Sequence, residues 1–384
     1  MLFRSTTTFT EPKDRSKAFG IYGAIAGAGG AVGLLLGGAL TQYLSWRWTL
    51  YVNLLFAGVA FTGGALLLQR QRSQVKPRLD IPGVVLVSTA VFCLVYGFSN
   101  AATHNWHTPS TWGFLAAGVV LLAAFAVWQG RAAHPLLPPW VVLDRNRGGA
   151  YLSFFIAAAA LFGIFLFLTY YLQQTLGYRP LVAGLAFLPL SIGLIVMANL
   201  STIVLMPRFG PKPLVAFGML AASGGAAWLA QLGPHTGYAT GLFGPLILAG
   251  IGVGMVIAPV INTGTFGVAP QDAGVASATV TVSQMLGGSV GTSLLNTIFA
   301  SAVASYLTAH LAAARLIGRP ALTGLALAHG YDTAFWWMAG IFAVGAVVGG
   351  VLLHRGPLGQ QRMPSPAHGG VATAQAEASQ ERVQ

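Results

Sequence analysis

The sequence predicts an all-α integral membrane protein, a bundle of ten transmembrane helices, and three observations carry that prediction. Of its 384 residues 55% are hydrophobic and only 7% charged, whereas an ordinary soluble domain carries roughly 25% charged residues. The apolar residues gather into ten runs, each near the roughly 20 residues that a helix needs to cross the hydrocarbon core. The basic residues alternate between connecting loops: with the N-terminus placed inside, all of the 20 Lys and Arg except Arg47, Arg179, Arg315 and Arg319 fall on the cytoplasmic side. That placement accounts for the net charge of +12 without a nucleic-acid partner, and it puts both termini in the cytoplasm of a plasma-membrane protein.

In chain order, residues 1–17 are polar and basic, with too little apolar content for a signal peptide. They are expected to form a cytoplasmic loop. The expected spans are 18–42, 49–69, 81–100, 110–129, 148–172, 181–206, 211–232, 241–262, 273–299 and 333–354. Pro189, Pro245 and Pro259 fall inside spans, where neighbouring helices can accommodate the lost amide donor. Residues 300–332 make the longest external connection, and its part 301–317, rich in Ala and Leu, has the composition of an interfacial helix. The tail from 355 to 384 is rich in Pro, Gly, Ala, Gln and Ser and is expected to be disordered. The single cysteine, Cys93, lies in an apolar span, so the chain holds no disulfide framework.

The first span is built largely of glycine. At 100° per residue Gly29, Gly33 and Gly37 form one stripe, and Gly23, Gly27 and Gly30 form a second, so two faces lack side chains and are expected to receive neighbours backbone to backbone. The same pattern returns at an offset of 258 residues: Pro12, Asp14, Ala18, Gly29, Gly30, Val32 and Gly33 match Pro270, Asp272, Ala276, Gly287, Gly288, Val290 and Gly291. Both stretches lead from a cytoplasmic loop into a glycine-rich helix of the same orientation, as parallel repeats require.

The spacing of Gly20, Gly29, Gly33, Gly37 and Gly38 resembles the antiporter motif in the fifth helix of the fourteen-helix drug:proton antiporters, a subfamily of the major facilitator superfamily. Leu34 stands where that motif has a proline. Trp46-Arg47-Trp48 with Asn53 resembles the opening of the sixth helix, and Asp80-Ile81-Pro82-Gly83 the start of the seventh. Residues 112–131 and 134–138 look like the eighth helix and its exit, with Gln129 where an acidic residue is usual. Residues 169–189 resemble the ninth-to-tenth turn and 274–294 the thirteenth helix. The resemblance implies a two-lobed major facilitator-type bundle in which 18–69 is the remnant of the first lobe, 70–147 the linker helices and loops, and 148–354 the six-helix second lobe. It also implies that the first four helices have no counterpart here, so that the chain is a truncated form.

By that resemblance the protein exports hydrophobic or cationic compounds by alternating access, in exchange for protons. The chain itself offers no titratable side chain in mid-span, where proton relays ordinarily sit. The boundary carboxylates Asp80, Asp272 and Asp332 are therefore the coupling candidates. Amides inside apolar spans should face a partner helix or a wet cavity, which makes Asn262, Gln284 and Asn296, with Tyr170, Tyr171 and Gln173, candidate walls of a substrate cavity. No cofactor is expected. His104 and His107 share a loop without further ligands, so no metal is expected, and no glycine-rich stretch ends in the GK[ST] of a phosphate loop. An enzyme is disfavoured, since no catalytic cluster is present. The competing reading is a membrane structural or assembly protein, or a nonfunctional fragment, that transports nothing.

Overall fold

The computed structural model describes residues 29, 32–67, 80–104, 106, 108–132, 135–233, 236–268, 272–311 and 318–356. Among the described residues ten helical rods fall in the stretches expected to span, but the expected count of ten is matched only loosely: the first rod covers part of its span, and eight qualify as crossing helices. The first two are α1 (Val32–Tyr43) and α2 (Trp46–Leu67), separated by a break at Leu44 and Ser45. In the stretch expected to be the linker, α3 (Ile81–His104) and α4 (Pro109–Arg131) pair as a hairpin, and the short α5 (Pro139–Val142) leads out of it.

The stretch expected to be the second lobe opens with α6 (Arg145–Tyr170), which a π-helical turn over Tyr171–Thr175 prolongs. Its second rod is assembled from α7 (Pro180–Ala186), α8 (Leu188–Leu200), a π-turn over Ser201–Leu205 and α9 (Met206–Phe209). The last four rods are α10 (Pro211–Leu229), α11 (Phe243–Thr265), α12 (Ala273–Ala309) and α13 (Arg319–Leu352). Eight rods are long and apolar enough to cross a membrane; α1, whose described part is short, and the 19-residue α10 are the two that fall below that length or composition. Residues 1–28 and 30–31, which include the expected cytoplasmic loop and Gly20, Gly23, Gly27 and Gly30, lie outside the described residues, as does the tail beyond 356.

The second lobe holds the core. α6 is apolar on all sides, as suits a helix enclosed by others. It buries Ala157, Ala160, Ile164, Phe167 and Leu168 against α12, α13 and α11. Because lipid is as apolar as a side chain, close fit must supply the attraction between helices, and glycines provide it. A Cβ on Gly225 of α10 would lie 2.7 Å from the Ala249 amide of α11, and one on Gly193 of α8 3.0 Å from the Ile247 carbonyl. On α12, Gly287 and Gly291 sit against the α6 backbone at Phe155 and Ala159. At its N-terminus Asp144 caps α6, accepting the Arg147 amide at 2.9 Å, and Arg145 donates to the Val351 carbonyl at 2.7 Å, where it satisfies an orphan acceptor at the end of α13.

Two expectations are corrected. The connection 300–332 is not a loop with a separate interfacial helix. α12 runs on to Ala309 and α13 begins at Arg319, so the C-terminal end of α12 and the N-terminal end of α13 stand beyond their expected spans. At 37 residues α12 is about 55 Å long against a hydrocarbon core of about 30 Å. The physical reason is local: between Gly291 and Ala309 the sequence has neither Gly nor Pro, and Ala and Leu carry the helix onward. α12 ends at Ala309, and Gly318, with a φ of +85°, stands at the N-cap of α13, which has Pro320 in its first turn. The second correction is in the glycine helix, where Gly33 and Gly37 make no close backbone contact; they open onto a cavity.

Candidate functional site

Gly29, Gly33, Gly37 and Thr41 follow one another at intervals of four along α1 and so share one face. A Cβ added at Gly29, Gly33 or Gly37 would meet nothing within 4 Å. One residue further round, Gly38 is tightly enclosed: its Cβ would lie 2.8 Å from the Pro180 carbonyl oxygen and 2.9 Å from the Leu181 Cα of α7. Gly184 of α7 returns the contact, its own Cβ position 2.8 Å from the Leu34 carbonyl. The Leu181 amide, an orphan donor in the first turn of α7, donates to Gln42 Oε1 at 3.2 Å. α1 is thus fastened to the second lobe by backbone contact on one face while the adjoining glycines stay open.

The open face bounds a cavity of about 270 Å³. Gly33, Leu34, Gly37, Gly38 and Thr41 of α1 and Thr49 of α2 form one wall; Thr169 of α6, Gln173 of its π-turn, and Pro180, Ala183, Gly184 and Phe187 form the other. The wall is apolar backbone and ring surface carrying three hydroxyls and one amide, a composition suited to a small amphiphile. Thr169 returns its hydroxyl to the Phe165 carbonyl at 2.6 Å, leaving the oxygen lone pairs as acceptors. Gln173 is exposed, sits on the π-turn that ends the α6 rod, and lines the cavity.

The helix-opening residues adjoin this site. Trp46, Arg47 and Trp48 begin α2, with the guanidinium of Arg47 5.1 Å from the Trp46 ring centroid and the Trp48 and Tyr51 rings in edge contact at 5.9 Å. Asn53 donates to the carbonyl of Thr49 at 3.1 Å, and Thr49 lines the cavity, so the asparagine braces a wall residue without facing the cavity itself.

The remaining candidates lie elsewhere. Tyr171 is buried in the second-lobe core, edge-on to Tyr331 at 5.7 Å, and its hydroxyl donates to the Gly233 carbonyl at 2.7 Å. Tyr170 packs edge-on against Phe167. Asn262 is exposed and donates back to Ala258, with the Met206 sulfur 3.7 Å away. Gln284 and Asn296 are half-buried on α12, apart from the cavity. Thr41, Thr49 and Thr169 were not among the sequence candidates. The four-residue continuation from Gly37 was the available signal for Thr41; threonines that bond back to their own helix give none.

Asp80 closes the linker hairpin. It caps α3 by accepting the Gly83 amide at 3.0 Å, and its two oxygens also accept from Trp128 Nε1 at 2.8 Å, Gln129 Nε2 at 2.7 Å and the Leu136 amide at 3.4 Å. Burial would raise its carboxyl, but these hydrogen bonds outweigh burial and hold it below the ordinary 3.8. A carboxylate so fully partnered is a structural knot, and a poor carrier of exchangeable protons. Asp272 stands at the start of α12 with the Trp140 indole 3.5 Å away, and Asp332 lies half-buried within α13, three residues beyond His329.

Among known proteins, the chain is 44% identical over 349 residues to the puromycin resistance protein pur8 of Streptomyces alboniger, covering 90% of this chain and 68% of that protein. It is 36% identical over 299 residues to the cephamycin export protein CmcT of Amycolatopsis lactamdurans, covering 77% and 62%. With the tetracenomycin C resistance and export protein of Streptomyces glaucescens it shares 33% over 297 residues, covering 76% and 54%. The chain therefore spans between about half and two thirds of the length of these relatives. Residues 2–292 match the Major Facilitator Superfamily, the family of membrane transporters to which the chain belongs.

Proposed function

We propose that the chain forms the second lobe, the linker and the inner edge of the first lobe of a drug exporter that works by alternating access. The observation that carries this reading is the cavity between α1 and the second lobe. The glycines resembling an antiporter motif form one of its walls, a second-lobe hydroxyl and amide form the other, and a backbone contact at Gly38 and Gly184 hinges the two sides together. The resistance and export proteins to which the chain is similar support antibiotics as the substrate class. Proton exchange falls to Asp272 or Asp332, since every oxygen of Asp80 is engaged. Both termini face the cytoplasm.

Binding tests the cavity directly. Purified protein in lipid nanodiscs should bind puromycin saturably, and Gln173→Leu or Thr169→Val should weaken binding several-fold while leaving the melting temperature unchanged. Unaltered affinity in both variants would remove the cavity from the reading. Sidedness is read in a Cys93→Ala background, where Gly237→Cys should react with an impermeant thiol reagent from outside and His354→Cys should not.

A further inference from the structure

The linker hairpin α3–α4 is closed at both ends. At one end Asp80 gathers the Gly83 amide and the Trp128 and Gln129 side chains, while Gln129 Oε1 accepts the Leu137 amide at 2.8 Å. At the other end Asn100 donates to the hydroxyls of Ser110 at 2.9 Å and Thr111 at 3.0 Å, and Trp112 Nε1 donates to the Trp106 carbonyl at 2.9 Å. Between these knots the helices meet through glycine: a Cβ on Gly118 would lie 3.1 Å from the Ala90 carbonyl, and one on Gly97 3.1 Å from the Leu115 amide. Two helices so tied move as one body.

That body is attached to the second lobe at a definite point. Thr297 of α12 is completely buried, and its hydroxyl lies 2.9 Å from the Phe98 carbonyl of α3 and 3.0 Å from the Ser293 carbonyl of its own helix. α3 packs along α12 around this point, whereas among the described residues α2 forms no interface of comparable extent with the hairpin. Apolar surface gains little by leaving lipid for another helix, so an interhelical hydrogen bond and close fit are what can separate a docked hairpin from one adrift in the bilayer.

We infer that the hairpin α3–α4 is a fixed part of the second lobe, fastened to α12 at Thr297, and is carried with that lobe instead of with α1 and α2. The fastening stands on the contacts alone, and the movement rests on the alternating-access reading. Spin labels at Gly113 on α4 and Ser301 on α12 read the fastening, with the whole chain in lipid nanodiscs and Cys93 replaced by Ala. Both positions are exposed, and a Cβ at Gly113 meets nothing within 4 Å. A single narrow distance is expected; a broad or multiple distribution overturns the inference. Thr297→Val keeps the side-chain shape and removes the donor, and should broaden the distribution; a distribution that stays narrow overturns the assignment of the fastening to Thr297. A third label at Gly58 on α2 reads the movement. When puromycin or a change from mildly alkaline to mildly acidic buffer shifts the Gly58–Ser301 distance, Gly58–Gly113 should shift with it and Gly113–Ser301 should hold. A Gly113 label that tracks Gly58 overturns the inference. A Gly58–Ser301 distance that never changes counts against alternating access alone, because the narrow Gly113–Ser301 distance does not depend on it.

Discussion

The two glycine helices, α1 and α12, carry the same small-residue pattern and put it to opposite uses. On α12, Gly287 and Gly291 are buried against the α6 backbone, and a Cβ at Gly291 would fall 2.6 Å from the Cβ of Ala159. On α1 the matching Gly33, and Gly37 one turn on, meet nothing within 4 Å and leave a cavity instead, while the close contact shifts to Gly38. A glycine in a membrane helix removes a side chain. Whether the space admits a neighbouring backbone or remains open is decided by where the next helix lies, and that is a tertiary fact.

The largest expected effect breaks the packed side of this comparison. Gly291→Leu drives a branched side chain into the backbone of α6, where neither helix can retreat because α6 is enclosed on its other sides. The cost should reach or exceed the upper end of the roughly 1 to 3 kcal/mol typical of overpacking. Size-exclusion chromatography in detergent should show little folded protein; wild-type yield would mean that α12 and α6 are further apart than described.

Asp80 serves as a control distant from both glycine faces. Asp80→Leu leaves the Trp128, Gln129 and Gly83 donors without their acceptor, at a cost of about 1.5 to 3 kcal/mol. The pH dependence has a definite sign. A carboxyl held below its ordinary 3.8 in the folded protein contributes stability that is fully present above that value and lost as pH falls through the lower folded value. Melting temperature should therefore fall in strongly acidic buffer for the wild type and fall less for Asp80→Leu. Parallel acid profiles in the two proteins would show that the knot does not form.

Gly38→Ala lies between the packed and open cases. The added methyl would sit 2.8 Å from the Pro180 carbonyl oxygen, a backbone atom, so α1 and α7 must separate by a few tenths of an ångström. A loss of about 1 kcal/mol is expected by thermal denaturation, at the low end of overpacking costs. Any stabilisation would mean that the fit at this crossing has slack.

Much of the architecture was legible in the sequence because bilayer thickness and backbone hydrogen bonding leave few alternatives: an apolar run of the right length must be a helix. The ten spans and their order follow from that constraint. Helix ends were less legible. α12 passes its expected end at residue 299 by ten residues, since Ser, Ala and Tyr reduce hydropathy without interrupting a helix. Within the candidate site Gly33, Gly37, Gly38 and Gln173 could be named from spacing and polarity, but Tyr171 could not be told from Tyr170: adjacent tyrosines at a helix end differ only in the direction they face, and Tyr171 faces the core. The wall threonines were silent because a hydroxyl bonded to its own helix looks the same in sequence whether a cavity or lipid lies beyond it.

The smallest expected effect on folding tests the open side of the comparison. Gly37→Leu places on α1 the side chain that Gly291→Leu places on α12, but into space with no atom within 4 Å of the Cβ, so overpacking should be absent and stability should stay within about 0.5 kcal/mol of wild type. Replacing glycine inside a helix even gains some backbone entropy, on the order of 0.5 to 1 kcal/mol for alanine, which favours the variant slightly. The effect belongs instead to the open cavity, where a leucine side chain would occupy a substantial part of the roughly 270 Å³ bordered by α1, α6 and α7. Melting temperature and folded yield should match the wild type while puromycin binding falls, the reverse of what a packing glycine would give. A variant of Gly37 as unstable as that of Gly291 would show that the α1 stripe is a helix contact after all, and would remove the cavity from between α1 and the second lobe.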